Sequence, residues 1–136
     1  MNSVVIDASV ALAWCFPDEG SKEADRILAA LKGSSILVPA VWALEVANAI
    51  LVGERRKRLK PPEILRFVAL LESLPISQDH LSVSENLADV LPFARLHGLS
   101  AYDAAYLELA VRHNSRLATL DAGLQKAARR HGIEIF

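Results

Sequence analysis

The sequence is poor in the features that would place it in several common classes. It has a single cysteine, Cys15, among 136 residues. An intrachain disulfide is therefore impossible and a secreted disulfide scaffold is excluded. Cys15 lies in the apolar run Ala11-Leu12-Ala13-Trp14-Cys15-Phe16, where a thiol behaves as a small buried hydrophobe. The four histidines, His80, His97, His113 and His131, are scattered, so neither a zinc-type ligand cluster nor a thiol–imidazole pair is indicated. Neither sign of charge dominates: 15 Lys and Arg face 16 Asp and Glu, for a formal net charge of -1. Any binding of a polyanion must then come from local patches and bound cations. Aromatic residues make up 6% of the chain, and no stacking platform for bases is evident. There is no repeat, low-complexity stretch or linker, and the N-terminus lacks the basic start of a signal peptide.

Long apolar runs are also scarce. Gly33 to Gly53 is long enough to span a bilayer and carries one charge, Glu45. Pro39 divides it into a strand-like half, Ser35 to Val38, and a helix-like half from Val41. A carboxylate near the middle of a membrane helix costs about 2.5–3.5 kcal/mol on insertion scales. The stretch reads as buried core of a soluble, cytoplasmic protein. A hydrophobic fraction of 52% with 23% charged residues excludes a disordered chain, and the length suits one domain over residues 1–136.

Short apolar runs alternate with helical patterns. Ser3–Ile6, Ile36–Val38, Leu74–Ser77, Leu117–Leu120 and Ile133–Phe136 are strand candidates, about five in all. Helices are expected after the first strand through Phe16, over Ser21–Leu31, from Val41 to about Arg56, from Pro61, over Ser84–His97 (stopped by Gly98), over Ser100–His113 and over Asp121–His131. Pro17-Asp18-Glu19-Gly20 reads as a turn. This alternation predicts an α/β sandwich around a largely parallel sheet, in which ligands sit beyond the carboxyl ends of the strands.

That rule gives the acids their interest. Asp7 follows Val4-Val5-Ile6, and Asp121 follows Leu117-Ala118-Thr119-Leu120. Asp103 stands three residues after Ser100, at the start of an apolar helical pattern. Helix capping accounts equally well for each of these three taken alone. Glu45 differs, because its helix is apolar nearly all round (Val41, Trp42, Leu44, Val46, Ala47, Ile50, Leu51) and is expected to be buried. An ionised carboxylate there needs a partner: a cation or an arginine from elsewhere in the chain. Asn48, one turn on, can add a hydrogen bond. Four carboxylates brought together would repel, and a hard divalent cation such as Mg²⁺ or Mn²⁺ resolves that repulsion.

Four segments in order, Val5-Ile6-Asp7-Ala8-Ser9, Trp42-x-x-Glu45-Val46-x-Asn48, Ser100-x-Tyr102-Asp103-Ala104-Ala105-Tyr106-Leu107-Glu108-Leu109-Ala110 and Ala118-Thr119-Leu120-Asp121, resemble the PIN-domain ribonucleases. More closely, the chain resembles the VapC toxins of toxin–antitoxin pairs, over essentially its whole length. The resemblance implies a three-layer α/β/α fold with a mostly parallel sheet, Mg²⁺ or Mn²⁺ dependence, endonucleolytic cleavage of RNA, a homodimer and a cognate antitoxin. It makes Asp7, Glu45, Asp103 and Asp121 the catalytic and metal-binding acids, with Ser9, Asn48 and Thr119 supporting them.

The run Arg55-Arg56-Lys57-Arg58-Leu59-Lys60 is the densest positive patch, either an RNA-backbone contact through Arg55, Arg56, Lys57 and Arg58 or a solvated helix end. Arg112, Arg116, Arg129 and Arg130 are weaker candidates. A phosphatase with Asp7 as nucleophile would want a second acid two residues on, where this chain has Ser9. A non-catalytic Mg²⁺-binding signalling module would leave Glu45 without a role. The apolar helices around Val41–Val52 and Ile64–Leu71 exceed what one small domain covers, so a homodimer and an apolar antitoxin segment are expected on that region.

Overall fold

The computed structural model describes residues 3–16 and 21–136. The expected turn at residues 17–20 lies outside the described residues. Four strands, β1 (Ser3–Ile6), β2 (Ser35–Val38), β3 (Ile76–Gln78) and β4 (Arg116–Ala118), form one sheet in the order β3-β2-β1-β4. All three pairings are parallel, with Val5 beside Leu37 on one side and Leu117 on the other. Every carboxyl end therefore lies on one edge.

The helices are α1 (Ala8–Cys15), α2 (Lys22–Ala30), α3 (Val41–Arg55), α4 (Pro61–Ser73), α5 (Val83–Glu85), α6 (Leu91–His97), α7 (Ala101–Arg112) and α8 (Ala122–Arg130). α1 packs against α2, α3 and α4, while α7 packs against α6, α8 and the sheet. Successive strand residues point to opposite faces. Val4, Val5 and Ile6 are all fully buried, so helices cover both faces of β1 and the architecture is α/β/α. The core runs from these residues through Val10, Ile27, Leu31, Ile36, Leu107, Leu117 and Leu124.

Besides β3, which runs Ile76–Gln78 rather than from Leu74, the structure departs from the expected elements in four places. The fifth strand, expected over Ile133–Phe136, is reduced to one parallel bridge from Leu117 to Ile135, so the sheet has four strands. β4 ends at Ala118, and Asp121 stands beyond it as the N-cap of α8 rather than at the strand end. The helix expected from Ser84 to His97 contains a π turn, Asn86–Val90, between α5 and α6. Pro92 sits just beyond it; proline has no N–H and crowds the carbonyl four residues back, and a widened turn relieves both. Gly98, at φ 63, then ends α6 and turns the chain into α7.

α3 is the fourth departure. It is not buried all round: Trp42, Val46 and Gly53 face the core, but Leu44 is 72% and Leu51 52% exposed. An apolar sequence does not by itself supply neighbours for every face. The divided segment Gly33–Gly53 becomes β2 and α3, and no helix among the described residues is long and apolar enough to cross a membrane.

Candidate active site

Asp7 follows β1 directly and is the N-cap of α1, where its Oδ1 accepts from the backbone N–H of Val10 at 3.2 Å. The capping role is therefore real, but it uses only part of the carboxylate. Oδ1 also accepts from the Ser9 hydroxyl at 2.6 Å, and Oδ2 accepts from the Thr119 hydroxyl. Ser9 in turn accepts from the backbone N–H of Leu120 at 3.1 Å, and Thr119 Oγ1 accepts from that of Asp121 at 3.0 Å. Two hydroxyls thus tie the end of β1 to the segment after β4. Gln125 adds a bond from its Nε2 to the Thr119 carbonyl at 2.8 Å. Asp7 is 5% exposed, and burial pushes its carboxyl pKa above the ordinary value, against the hydrogen bonds from Ser9, Thr119 and Val10; the charge of Asp103 adds to the rise.

Glu45 lies a little more than one turn into α3, which starts three residues beyond the end of β2. It is half-buried rather than enclosed. Its partner is not an arginine: Oε1 accepts from the Tyr106 hydroxyl at 2.5 Å. Burial raises the Glu45 pKa, the Tyr106 bond opposes the rise, and the charges of Asp103 and Asp7 add to it. Tyr106 is 1% exposed, and burial with the neighbouring Glu45 carboxylate holds its phenol protonated, as a donor. Tyr106 is the site residue that sequence reasoning left without a role. The available signal was its place one turn after Asp103, on the same face of α7.

Asp103 is half-buried in the first turn of α7. Ser100 caps this helix by accepting from the Asp103 N–H at 3.1 Å. The reciprocal carboxylate-to-backbone bond seen at Lys60–Glu63 and Ser82–Glu85 is not formed here. The Asp103 carboxylate is thus not consumed by a capping box. Burial first, then the charge of Asp121, raise its pKa, with the Ser100 hydroxyl working against both. Asp121 is exposed and caps α8, its Oδ2 accepting from Leu124 N–H at 2.8 Å.

The four acids come from four separate elements and lie within electrostatic reach of one another. Asp7 feels Asp103, Glu45 feels both, and Asp103 feels Asp121. Among the described residues, none forms an ion pair with a basic side chain. All the donor atoms are oxygens, and each carboxylate has acceptor capacity left, which is the chemistry a hard divalent cation takes. No three His, Cys, Asp or Glu side chains among the described residues close in tightly enough to enclose an ion by themselves. The set fits an open arrangement in which one or two carboxylates bind directly and water completes the shell, as Mg²⁺ commonly requires.

The remaining sequence candidates fall elsewhere. Asn48 is exposed and makes no hydrogen bond to the cluster. Arg55, Arg56, Lys57 and Arg58 are exposed at and beyond the C-terminus of α3. Arg55 is ten residues past Glu45, or about 15 Å along the helix at 1.5 Å per residue. Arg58 lies over the Phe16 ring at 4.4 Å, and Arg116 lies over that of Phe136 at 4.5 Å. Arg112 is engaged by Glu108 and Asp79.

Comparison with known proteins places the chain by family and fold. The PIN domain family model matches residues 4–130. Ribonuclease VapC3 of Pyrobaculum aerophilum is 35% identical over 122 residues, covering 89% of this chain and 91% of that protein. Among solved structures, a second Pyrobaculum aerophilum protein superposes with a TM-score of 0.68 at 24% identity, over 93% of this chain and 79% of that one. VapBC2 from Rickettsia felis, solved bound to a DNA fragment from their promoter, gives 0.66 at 12% identity, over 98% and 97% of the chains. FitAcB from Neisseria gonorrhoeae gives 0.61 at 18% identity, over 98% and 96%. The family match runs from β1 through α8, and the chain belongs to the PIN-domain family.

Proposed function

We propose that this protein is an endoribonuclease that uses Mg²⁺ or Mn²⁺ and serves as the toxin of a toxin–antitoxin pair. The observation that carries the reading is the set of four acids at one edge of the sheet, with no basic partner among the described residues. The identity to ribonuclease VapC3 over most of both chains supports the activity. Asp7, Glu45, Asp103 and Asp121 would hold the cation, directly or through water. A bound ion of this kind supplies a water of lowered pKa and stabilises charge on phosphate oxygens. The protein's own part is to hold the ligands still. Ser9 and Thr119 fix both oxygens of Asp7, and Tyr106 fixes Glu45. Arg55, Arg56 and Lys57 would meet phosphates away from the cut.

The partners follow from surface chemistry. Leu44 and Leu51 on α3, with Leu65 (72% exposed) and Val68 on α4, leave apolar side chains in water. A homodimer and an apolar antitoxin segment would cover them. The deciding experiment uses antitoxin-free protein and a mixed RNA substrate. Cleavage is expected with Mg²⁺ or Mn²⁺ and is expected to stop with EDTA. Full activity in EDTA would remove the metal from the reading, and a folded protein that cuts no RNA with either ion would remove the nuclease. Sedimentation without partner should give a dimer at micromolar concentration.

A further inference from the structure

Beside the acidic cluster lies an apolar hollow of about 270 Å³ that the reading above leaves unused. It forms where α3, the π turn, α6 and α7 meet, and Val41, Leu87, Val90, Leu91, Tyr102 and Ala105 line it. The hollow and the acids share their backbone. Tyr102 immediately precedes Asp103, and Val41 is one helical turn before Glu45. The two tyrosines of the chain also divide their work. Tyr106 is buried on Glu45, while Tyr102, on the same helix, is 62% exposed at the mouth of the hollow. Leu87 (59%) and Leu91 (38%) are exposed with it.

If a phosphodiester is cut at Asp103 and Glu45, the bases on either side of it lie within a nucleotide's length of those acids. A single-stranded base has two apolar faces and a polar edge. Such a base stacks on aromatic rings whatever its identity. The hollow offers both kinds of contact. Tyr102 supplies a ring. Asn86, on the lining, donates from Nδ2 to the carbonyls of Leu81 (3.2 Å) and Ser82 (3.1 Å), which leaves its Oδ1 to accept from a base edge. The acids that adjoin the lining along α3 and α7 argue against a second copy of the chain here, because a copy would bring its own carboxylates toward these. A nucleotide would approach the same acids with a cation between its phosphate and their carboxylates.

We propose that Tyr102 stacks on an unpaired base adjoining the scissile phosphate, and that this hollow is the base subsite of the acidic centre. The proposal rests on the ribonuclease reading, and the experiment separates the two. Binding of short fluorescein-labelled single-stranded RNAs to the full chain is followed by anisotropy, in Ca²⁺ and in parallel in EDTA. Tyr102→Ala should weaken binding about tenfold, the scale of one lost stacking contact, while Tyr102→Phe stays within about twofold. In an RNA series lacking one base at a time, the wild type should lose affinity at one particular position, and Tyr102→Ala should lose nothing further there. In cleavage assays with Mn²⁺ the Tyr102→Ala loss should fall on KM rather than kcat.

Tyr102→Ala that binds like the wild type, or that loses equally at every abasic position, overturns the proposal. So does a change of sedimentation mass in Tyr102→Ala with RNA affinity intact, which would assign the hollow to a second copy. Position-specific stacking by a wild type that cuts nothing would leave the subsite standing and remove the nuclease. Cleavage indifferent to Tyr102 would do the reverse.

Discussion

The two ends of α7 handle carboxylates in opposite ways. Near its C-terminus Glu108 is 4% exposed, yet it receives the Arg112 Nε at 2.6 Å, and Arg112 also bonds Asp79, just past β3. The arginine holds the Asp79 carboxyl below the ordinary range. Near the N-terminus Asp103 faces Asp7, Glu45 and Asp121, no arginine comes in, and the pKa values of Asp7, Glu45 and Asp103 move up. Burial alone does not explain the contrast, because Glu108 is more enclosed than Glu45. A compensated carboxylate holds the fold together. An uncompensated cluster costs the metal-free fold stability and leaves ligands available.

The sharpest test exchanges charge for shape at each end. Glu45→Gln keeps an acceptor for the Tyr106 hydroxyl and removes one of the repelling charges. It should abolish cleavage and leave the EDTA-treated protein melting at or above wild type. Arg112→Met strands Glu108 and leaves Asp79 with His113 alone. It should cost about 2–3 kcal/mol, below the 3–5 kcal/mol typical of fully buried pairs because Arg112 is one-third exposed, while the folded fraction still cuts RNA. Thermal melts with parallel cleavage assays decide both. If Glu45→Gln melts far below wild type and still cuts, Glu45 belongs with the structural end.

A smaller effect is expected behind the acids. Thr119→Val removes the hydroxyl on Asp7 Oδ2 and the acceptor for the Asp121 N–H. Losing such an orienting group typically lowers metal affinity or activity about 10–100-fold. The measurement is kcat against metal concentration, with recovery at high Mn²⁺ expected if positioning is the cause.

The smallest effect is in pH. Asp7, Glu45 and Asp103 bind protons more tightly folded than unfolded, so metal-free stability falls as pH rises from ordinary carboxyl values through their raised ones. The melting temperature in EDTA should therefore rise on mild acidification from neutral. Asp79 opposes this lower down: its stabilising contribution is present above the unfolded value and is lost as pH falls through its depressed folded value. Added Mg²⁺ should raise the neutral melting temperature and flatten the upper part of the profile, because a ligand that binds only the folded state stabilises it. A profile in EDTA that declines steadily from neutral to acid would mean the two ends of α7 do not differ as described.

Much of this was legible in the residues. Hydrophobic periodicity and the proline pair placed β1, β2 and the starts of α1, α2, α3, α4, α7 and α8 to within a few positions, one continuous helix was expected where α5, the π turn and α6 form, and the alternation implied a parallel sheet. The acids were conspicuous because strand-end carboxylates and a lone charge in an apolar helix are local facts. Local facts could not assign partners. Glu45 called for a counter-charge or an ion, and the first contact found was a tyrosine sixty-one residues away. Ile133–Phe136 has strand composition, but pairing depends on how much of a neighbour's edge is left, and a single bridge formed. α3 reads as buried on all faces, yet burial belongs to what packs against a helix, and Leu44 and Leu51 face solvent.

By itself the chain determined its periodicities, its caps and the types of atom it offers: oxygen ligands without a histidine or cysteine cluster, on a nearly neutral molecule. Which carboxylates meet which was decided by the parallel sheet. It gathers the ends of β1, β2 and β4 on one edge and sets α7 across them, so that Asp103 falls beside Asp7 while Glu108, a turn and a half further on, falls beside Arg112. The physical reason is range. Propensity and capping act over a few residues, whereas the energy of a buried charge depends on groups brought close only when distant segments pack.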